Sequence, residues 1–368
     1  MTRSALVVGA GGAAAKRLCE LLLKDGSWSV LGIVRRSRSS SDGVTYRCVD
    51  LLDPDSCARA LSDCTGITHI FYAARAKHAE TGVEDVDENV AMLRNVLDAV
   101  EPTAQELQHV HLVQGTKYYG MHLGPFPTPA REDDARHMPP NFYYDQQGLL
   151  IERKQGRNWN WSASRPNFIC DFAPERARNV ITVTGAYAAI SAELGLPLDF
   201  PGPQLAFDTL HEVTDASLLA RAIRFIATTP TCANQAFNVT NGDVFRWRTL
   251  WPRIASYFGC ELGIVRPLKL AEWMRDKQPI WERIVRRHGL HPLPLEEVAD
   301  WSFGDFLWSQ CYDVISQTTK LHNAGFYEVV DTLPMFIRQL SCYSEAGILP
   351  KLAELPFSAN ARLSQPGP

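Results

Sequence analysis

The chain has 368 residues, a net charge of −4, and a composition that is 45% hydrophobic and 21% charged. That is ordinary globular composition with material for a large core, and it offers no electrostatic case for nucleic acid or a membrane surface as partner. No apolar run is long enough to span a bilayer, and the N-terminus MTRSALVVGAGG reads as a strand entering a loop, not as a signal peptide. The nine cysteines (19, 48, 57, 64, 170, 232, 260, 311, 342) are odd in number and lack metal-ligand spacing. They read as reduced thiols of a cytoplasmic protein with no metal site.

In chain order, SALVVGA (4–10) is a short apolar run, which predicts a buried parallel strand broken by Gly11 and Gly12. AAAKRLCELLLKDG (13–26) has helical periodicity and stops at Gly26. WSVLGIVRR (28–36) and VTYRCVD (44–50) read as the second and third strands, around the loop SRSSSDG (37–43). DPDSCARALSDC (53–64) is a capped helix, ITHIFYAA (67–74) a fourth strand, VEDVDENVAMLRNVLDAVE (83–101) an amphipathic helix and LQHVHLVQG (107–115) a fifth strand. LIERKQG (150–156) continues a helix, and WNWSASRPN (159–167) is strand six. This alternation predicts an α/β protein with a Rossmann-type doubly wound parallel sheet. Past about residue 170, helical stretches such as 182–195 mix with short strands such as 235–241. The expected organisation is a nucleotide-binding domain over 1–175, with its sheet completed by later segments. A smaller, mainly helical substrate lobe with interleaved strands is expected over 176–358, and a flexible tail over 359–368.

The first turn suggests a cofactor. Gly9, Gly12 and Ala15 stand at GxxGxxG spacing, with alanine in the third place. Small residues here, Gly11 and Ala13 among them, let the backbone approach a pyrophosphate at the helix N-terminus. A glycine-rich turn without a ligand is the plain alternative. Val34-Arg35-Arg36-Ser37 stands where an NAD-preferring site has an acid, so NADP(H) is predicted through charge-assisted bonds to a 2′-phosphate. The alternative is a solvated arginine pair. Asp50 is a candidate partner for the adenine amino group, or a turn-capping carboxylate.

Lys117, in HLVQGTKYYG (111–120), and Tyr144, in PPNFYYDQQGLLIE (139–152), form the candidate reacting centre. A tyrosine hydroxyl donates to a substrate oxygen as charge develops there, and an ammonium supports that charge. The common short-chain dehydrogenase pattern has its lysine one helical turn after the tyrosine, but that place is Gly148 here, so Lys117 is the candidate. Packing aromatics at a loop-to-helix transition are the competing reading of Tyr143 and Tyr144. His69, His109 and His111 read as sheet histidines, Trp247 and Trp251 as core, and Arg283, Arg286 and Arg287 as a solvated helix face.

Further stretches are GIVRRS (32–37), THIFYAA (68–74), NVAMLRNVLDAV (89–100), NFYY (141–144), SRPNFICDFAP (164–174), GAYAAI (185–190), LPLDFPG (196–202), FNVTNGDVFRWRTLW (237–251) and GF (325–326). In these, over roughly residues 4–350, the chain resembles the progesterone 5β-reductase/iridoid synthase-like (PRISE) group of extended short-chain dehydrogenases. The resemblance implies NADPH-dependent 1,4-reduction of a small apolar α,β-unsaturated carbonyl compound, in specialised metabolism. Tyr144 and Lys117 would stabilise the enolate, with the α-carbon protonated from solvent. It also implies cofactor contacts at Gly9, Gly11, Gly12, Ala13, Arg35, Arg36, Asp50, Leu51, Ala73, Gln114, Tyr144, Arg165, Pro166 and Asn179. Arg75, Phe126, Tyr143 and Phe326 would face the substrate pocket. A homodimer is carried as an expectation.

The departures from the pattern are specific. Ala74-Arg75 replaces a Thr or Ser followed by an aromatic residue, and three extra residues lie between Tyr119 and Gly124. Asp145-Gln146-Gln147-Gly148 replaces the usual acidic residues after NFYY. Arg75 is read either as pairing with an acidic substrate or as a surface residue. A ketoreductase or alcohol dehydrogenase, and a non-redox isomerase, cyclase or NADP-sensing protein, stay open as alternatives on the same scaffold.

Overall fold

The protein is described here by a computed structural model covering residues 3–36, 43–76 and 84–351. The expected tail at 359–368 and all of the 37–43 loop but Gly43 lie outside the described residues.

The first part of the chain alternates strand and helix. β1 is Arg3–Val8, α1 Ala13–Asp25, β2 Trp28–Val34, β3 Thr45–Cys48, α2 Pro54–Leu61 and β4 His69–Tyr72. α3 is Val86–Val100, β5 His109–Val113, α4 Phe142–Lys154 and β6 Asn160–Pro166. Helix starts follow local chemistry. Asp53, Asp85 and Asn141 each accept a first-turn backbone N–H at the heads of α2, α3 and α4. α1 ends at Gly26, whose φ of 71° lies in the left-handed region that glycine tolerates.

Six of these strands and Gln235–Val239 form one parallel sheet, in the order Gln235–Val239, β6, β5, β4, β1, β2, β3. The order reverses between β1 and β4, and that crevice is where an open α/β sheet takes its ligand. The register pairs Val8 with Ile33 and with Tyr72, so β1, β2 and β4 end together. Helices cover both faces. One core layer joins the sheet to α2, α3 and α4 through residues such as Leu93, Leu97, Leu150 and Trp161. The other joins it to α1 and the helix Ala216–Thr228 through Leu18, Leu22, Leu219 and Ile223. Such two-sided burial explains why the strands read as near-continuous apolar runs.

By contacts the chain divides into two interleaved units. The first is Met1–Ala173, Asp208–Arg246 and Gln310–Met335. The second is Pro174–Phe207, Trp247–Ser309 and Phe336–Pro368. The second is mainly helical. Its helix Val180–Glu193 is buried from Val180 to Ser191, and Trp247, Trp251 and Trp308 meet edge to face around Phe200. The Trp251 indole donates to the Leu198 carbonyl at 3.1 Å. Among the described residues no helix is long and apolar enough to cross a membrane.

His69, His109 and His111 alternate with the β period on one sheet face. His69 shares a hydrogen bond with Thr68 (2.8 Å), His109 with Ser162 (2.6 Å), and His111 with Ser162 and Ser164 (2.7 and 3.0 Å). Burial disfavours their charged forms, pushing His69 down to about 4 and His109 down to about 3. Both folded-state values lie below the unfolded value near 6.5, so the unfolded chain binds more protons in between. This contribution is present above pH ~6.5 and is lost as pH falls toward 4 and then 3. A thermal melt series from about pH 7 to 4.5 is expected to show a falling Tm, with a shallower fall in His109→Gln, whose amide keeps a bond to Ser162 without titrating.

Candidate active site

The glycine turn follows directly from β1. Gly9 has φ +81°, and a Cβ there would stand 2.8 Å from the Ala74 backbone nitrogen. Only glycine allows both the conformation and the approach. The Ala73 N–H donates to the Val8 carbonyl at 2.9 Å, which carries the β1–β4 ladder up to this turn. A Cβ on Gly11 would meet nothing within 4 Å. Gly12 starts α1 in extended conformation with no side-chain cap, Ala13 is the first helical residue, and the first turn holds no acidic residue. An uncapped helix start beside open space is suited to an anion.

Arg35 and Arg36 are exposed immediately after β2, on the edge where β1 and β2 end. The Asp50 carboxylate is exposed and accepts the Leu52 N–H through Oδ1 at 3.0 Å, which caps its own turn. The Leu51 side chain is buried in the core, and its carbonyl accepts from Asn95 at 2.9 Å. A close-approach glycine, an open Gly11, an uncapped α1 and two guanidiniums in place of an acid fit a dinucleotide carrying a ribose phosphate.

Beyond β5 the chain makes a short 3-10 turn, Thr116–Tyr119. Two side chains from the head of α4 clamp it. The Asn141 amide donates to the Lys117 carbonyl at 2.8 Å while its oxygen accepts the Tyr143 N–H at 3.1 Å. The Tyr144 hydroxyl donates to the Tyr118 carbonyl at 2.5 Å and accepts the His137 N–H at 2.7 Å. The Tyr144 ring packs edge to face on Tyr118, with the Arg136 guanidinium over it.

This geometry corrects the expectation for Tyr144: its hydroxyl is spent on two backbone groups and ties down the turn. Tyr143 is placed differently. A Cβ on Gly115 would lie 3.3 Å from the Tyr143 hydroxyl and 3.5 Å from the Pro166 carbonyl oxygen. The hydroxyl therefore stands where β5 and β6 end. Burial raises the Tyr143 phenol well above the ordinary value; the Glu84 charge adds to this and the Arg75 charge opposes it. Phe126 packs beside the cluster of Tyr118, Tyr119, Phe142, Tyr143 and Tyr144.

Glu84, which sequence reasoning missed, is the shared partner of the nearby cations. Its Oε1 lies 3.0 Å from Lys117 Nζ and 3.1 Å from Arg75 Nη1. No motif marks it, since it precedes the capping residue of α3 and meets Lys117 only through the fold.

Several expected contacts are corrected. Arg165 is buried at 1% exposure and donates to Gln114, Tyr119, the Glu132 carbonyl and Gln147. Its guanidinium stacks 3.4 Å from the Tyr118 ring centroid. The Gln114 amide donates to the Tyr143 carbonyl at 3.2 Å. Arg165 and Gln114 thus support α4 from within, and their side chains are not offered to a cofactor. Phe326 packs on Phe225 in a core layer (5.5 Å between rings) and lines a recess with Arg3 and Trp28, at the strand starts, opposite the glycine turn. It is no pocket residue of this centre. Asn179 caps the helix Val180–Glu193 through the Ile181 N–H at 2.8 Å and donates to the Tyr343 hydroxyl at 3.0 Å, within the second unit. Those bonds commit its amide there, in place of the expected cofactor contact.

The PRISE-like Rossmann-fold domain family matches residues 47–350. The chain is 38% identical over 343 residues to an (S)-8-oxocitronellyl enol synthase of Nepeta racemosa, covering 88% of this chain and 87% of that one. It is 35% identical to a 3-oxo-Delta(4,5)-steroid 5-beta-reductase of Arabidopsis thaliana, covering 94% and 93%. It is 30% identical to a short chain dehydrogenase of Penicillium aethiopicum, covering 95% and 100%. Among solved structures, RMD of Pseudomonas aeruginosa complexed with NADPH matches with TM-score 0.64 at 17% identity, covering 94% of this chain and 98% of that one, which bears on the fold. With its glycine turn and seven-stranded parallel sheet, the chain belongs to the PRISE-like Rossmann-fold family of extended short-chain dehydrogenases.

Proposed function

We propose that the chain is an NADPH-dependent reductase that saturates the double bond of an α,β-unsaturated carbonyl compound. The observation that carries this reading is the buried Tyr143 hydroxyl at the ends of β5 and β6. Burial disfavours its ionised form, so at neutral pH it is a hydrogen-bond donor rather than a base. A donor stabilises oxygen as it gains negative charge, which suits reduction. Oxidation of an alcohol needs the opposite, a phenolate that accepts a proton, whereas reduction of a ketone or of an enone uses the same donor. The relatives' names, an enol synthase and a steroid 5-beta-reductase, support reduction of a conjugated carbonyl.

The roles follow from the placements. The α1 N-terminus with Gly9, Gly11 and Gly12 would hold the pyrophosphate, and Arg35 and Arg36 the 2′-phosphate. When bound there, the cofactor would supply the hydride that the β-carbon takes. Tyr143 donates to the carbonyl oxygen as the enolate forms, and Lys117 adds positive charge nearby. The α-carbon then takes a proton from solvent. Tyr144 and Asn141 act as positioning residues, because they hold the Lys117 turn against α4.

Three outcomes are expected. Tyr143→Phe lowers kcat for enone reduction by roughly 10²–10³, the cost of losing one oxyanion donor. Tyr144→Phe leaves the Tyr118 carbonyl and the His137 N–H without their partner, so it costs about 1–3 kcal/mol of stability in a denaturant titration while kcat falls less than in Tyr143→Phe. If Tyr144→Phe alone abolishes turnover in a fully folded protein, the assignment to Tyr143 is wrong. Replacing Arg35 and Arg36 with alanine weakens NADPH binding about 10–100-fold and leaves NADH binding little changed, read by nucleotide fluorescence titration.

A further inference from the structure

Two residues at this centre depart from the family pattern, and both converge on the same charges. By the resemblance, Arg75 stands where members usually carry an aromatic side chain. It is 37% exposed, against 14% for its partner Glu84. Its backbone is held, because the adjacent Ala76 N–H donates to the buried Asn89 side chain at 3.0 Å, and Asn89 in turn donates to the Asp85 carbonyl. The charges acting through space on the Tyr143 hydroxyl are those of Glu84 and Arg75. Through Glu84 this guanidinium is joined to Lys117, on the turn that Asn141 clamps to the helix carrying Tyr143.

His122 belongs to the segment that is three residues longer than the family pattern. Its ring is half-buried among Lys117, Glu84 and His137, and its Nδ1 has no hydrogen-bond partner among the described residues. An aromatic residue at position 75 would offer a neutral enone apolar contact. An arginine instead offers a planar fork that matches a carboxylate in two parallel bonds.

We propose that Arg75 is a specificity-determining residue that selects α,β-unsaturated carbonyl substrates bearing a carboxylate. The inference rests on the reductase reading of the same site and names its substrate class. The carboxylate replaces Glu84 on Arg75, while Glu84 stays on Lys117. The carboxylate undergoes no bond change. The double bond takes a hydride at the β-carbon and a solvent proton at the α-carbon, and the cofactor is oxidised by two electrons.

The test compares (E)-6-oxohept-4-enoate with its methyl ester, which share one enone and differ in charge. With NADPH, kcat/KM for the acid is expected to exceed that for the ester about 10–100-fold, the worth of one charge-assisted pair. In Arg75→Met the acid-to-ester ratio collapses toward one. A second readout needs no turnover: calorimetric binding of 6-oxoheptanoate and its methyl ester to the NADP⁺-loaded protein. The acid binds about tenfold more tightly, and Arg75→Met removes the difference. The proposal is overturned if the ester matches or exceeds the acid in both readouts, or if Arg75→Met changes both compounds alike. Reduction without a charge preference sinks the proposal and leaves the reductase reading standing. Arg75-dependent acid binding without reduction of either enone does the reverse.

Discussion

The centre depends on one join, the clamp between the head of α4 and the turn after β5. Asn141 reaches the Lys117 carbonyl and Tyr144 reaches the Tyr118 carbonyl. A 3-10 turn has poor hydrogen-bond geometry of its own and does not hold a lysine in place alone. With the clamp, Lys117 is tied to the helix that carries Tyr143. Behind it, Arg165 bonds Gln114 and Gln147, and Gln114 reaches the Tyr143 carbonyl, so α4 is also held from the strand side. A wholly buried guanidinium is costly unless its donors are satisfied. Four bonds and an aromatic face meet that cost, and they make Arg165 part of the frame.

The electrostatics show a division of labour. One carboxylate, Glu84, is shared between Arg75 and Lys117, at 3.1 and 3.0 Å. The interest of these pairs is positional: Glu84 joins Arg75 to Lys117, beside a phenol that burial and the Glu84 charge hold in its neutral form. A neutral donor suits a site that receives negative charge on a carbonyl oxygen.

Much of the fold was legible from local pattern. The apolar runs at 4–10, 67–74 and 107–115 became β1, β4 and β5, because strands covered on both faces read as continuous hydrophobic stretches. Gly9 was legible because its chemistry is local, a left-handed turn where a chain must pass close to another. The turn at Thr116–Tyr119 was not, since it owes its shape to the clamp. The tyrosine assignment failed for a geometric reason. Successive residues on a helix point about 100° apart, so Tyr143 and Tyr144 face different surroundings, and adjacency in sequence does not say which faces the strand ends.

The sequence by itself determined the sheet, the dinucleotide turn, the arginine pair after β2 and the family. Each is written in residues close together in the chain, whose periodicity or backbone freedom has one main structural solution. Only the tertiary structure decided which tyrosine meets Gly115 and Pro166, that Phe326 lies at the opposite edge, and that Asp50 caps its turn. It also decided that Glu84 joins Arg75 to Lys117. These depend on side chains brought together from distant strands and helices, and whether a polar group faces a ligand or a neighbour is settled by what the packed elements leave beside it.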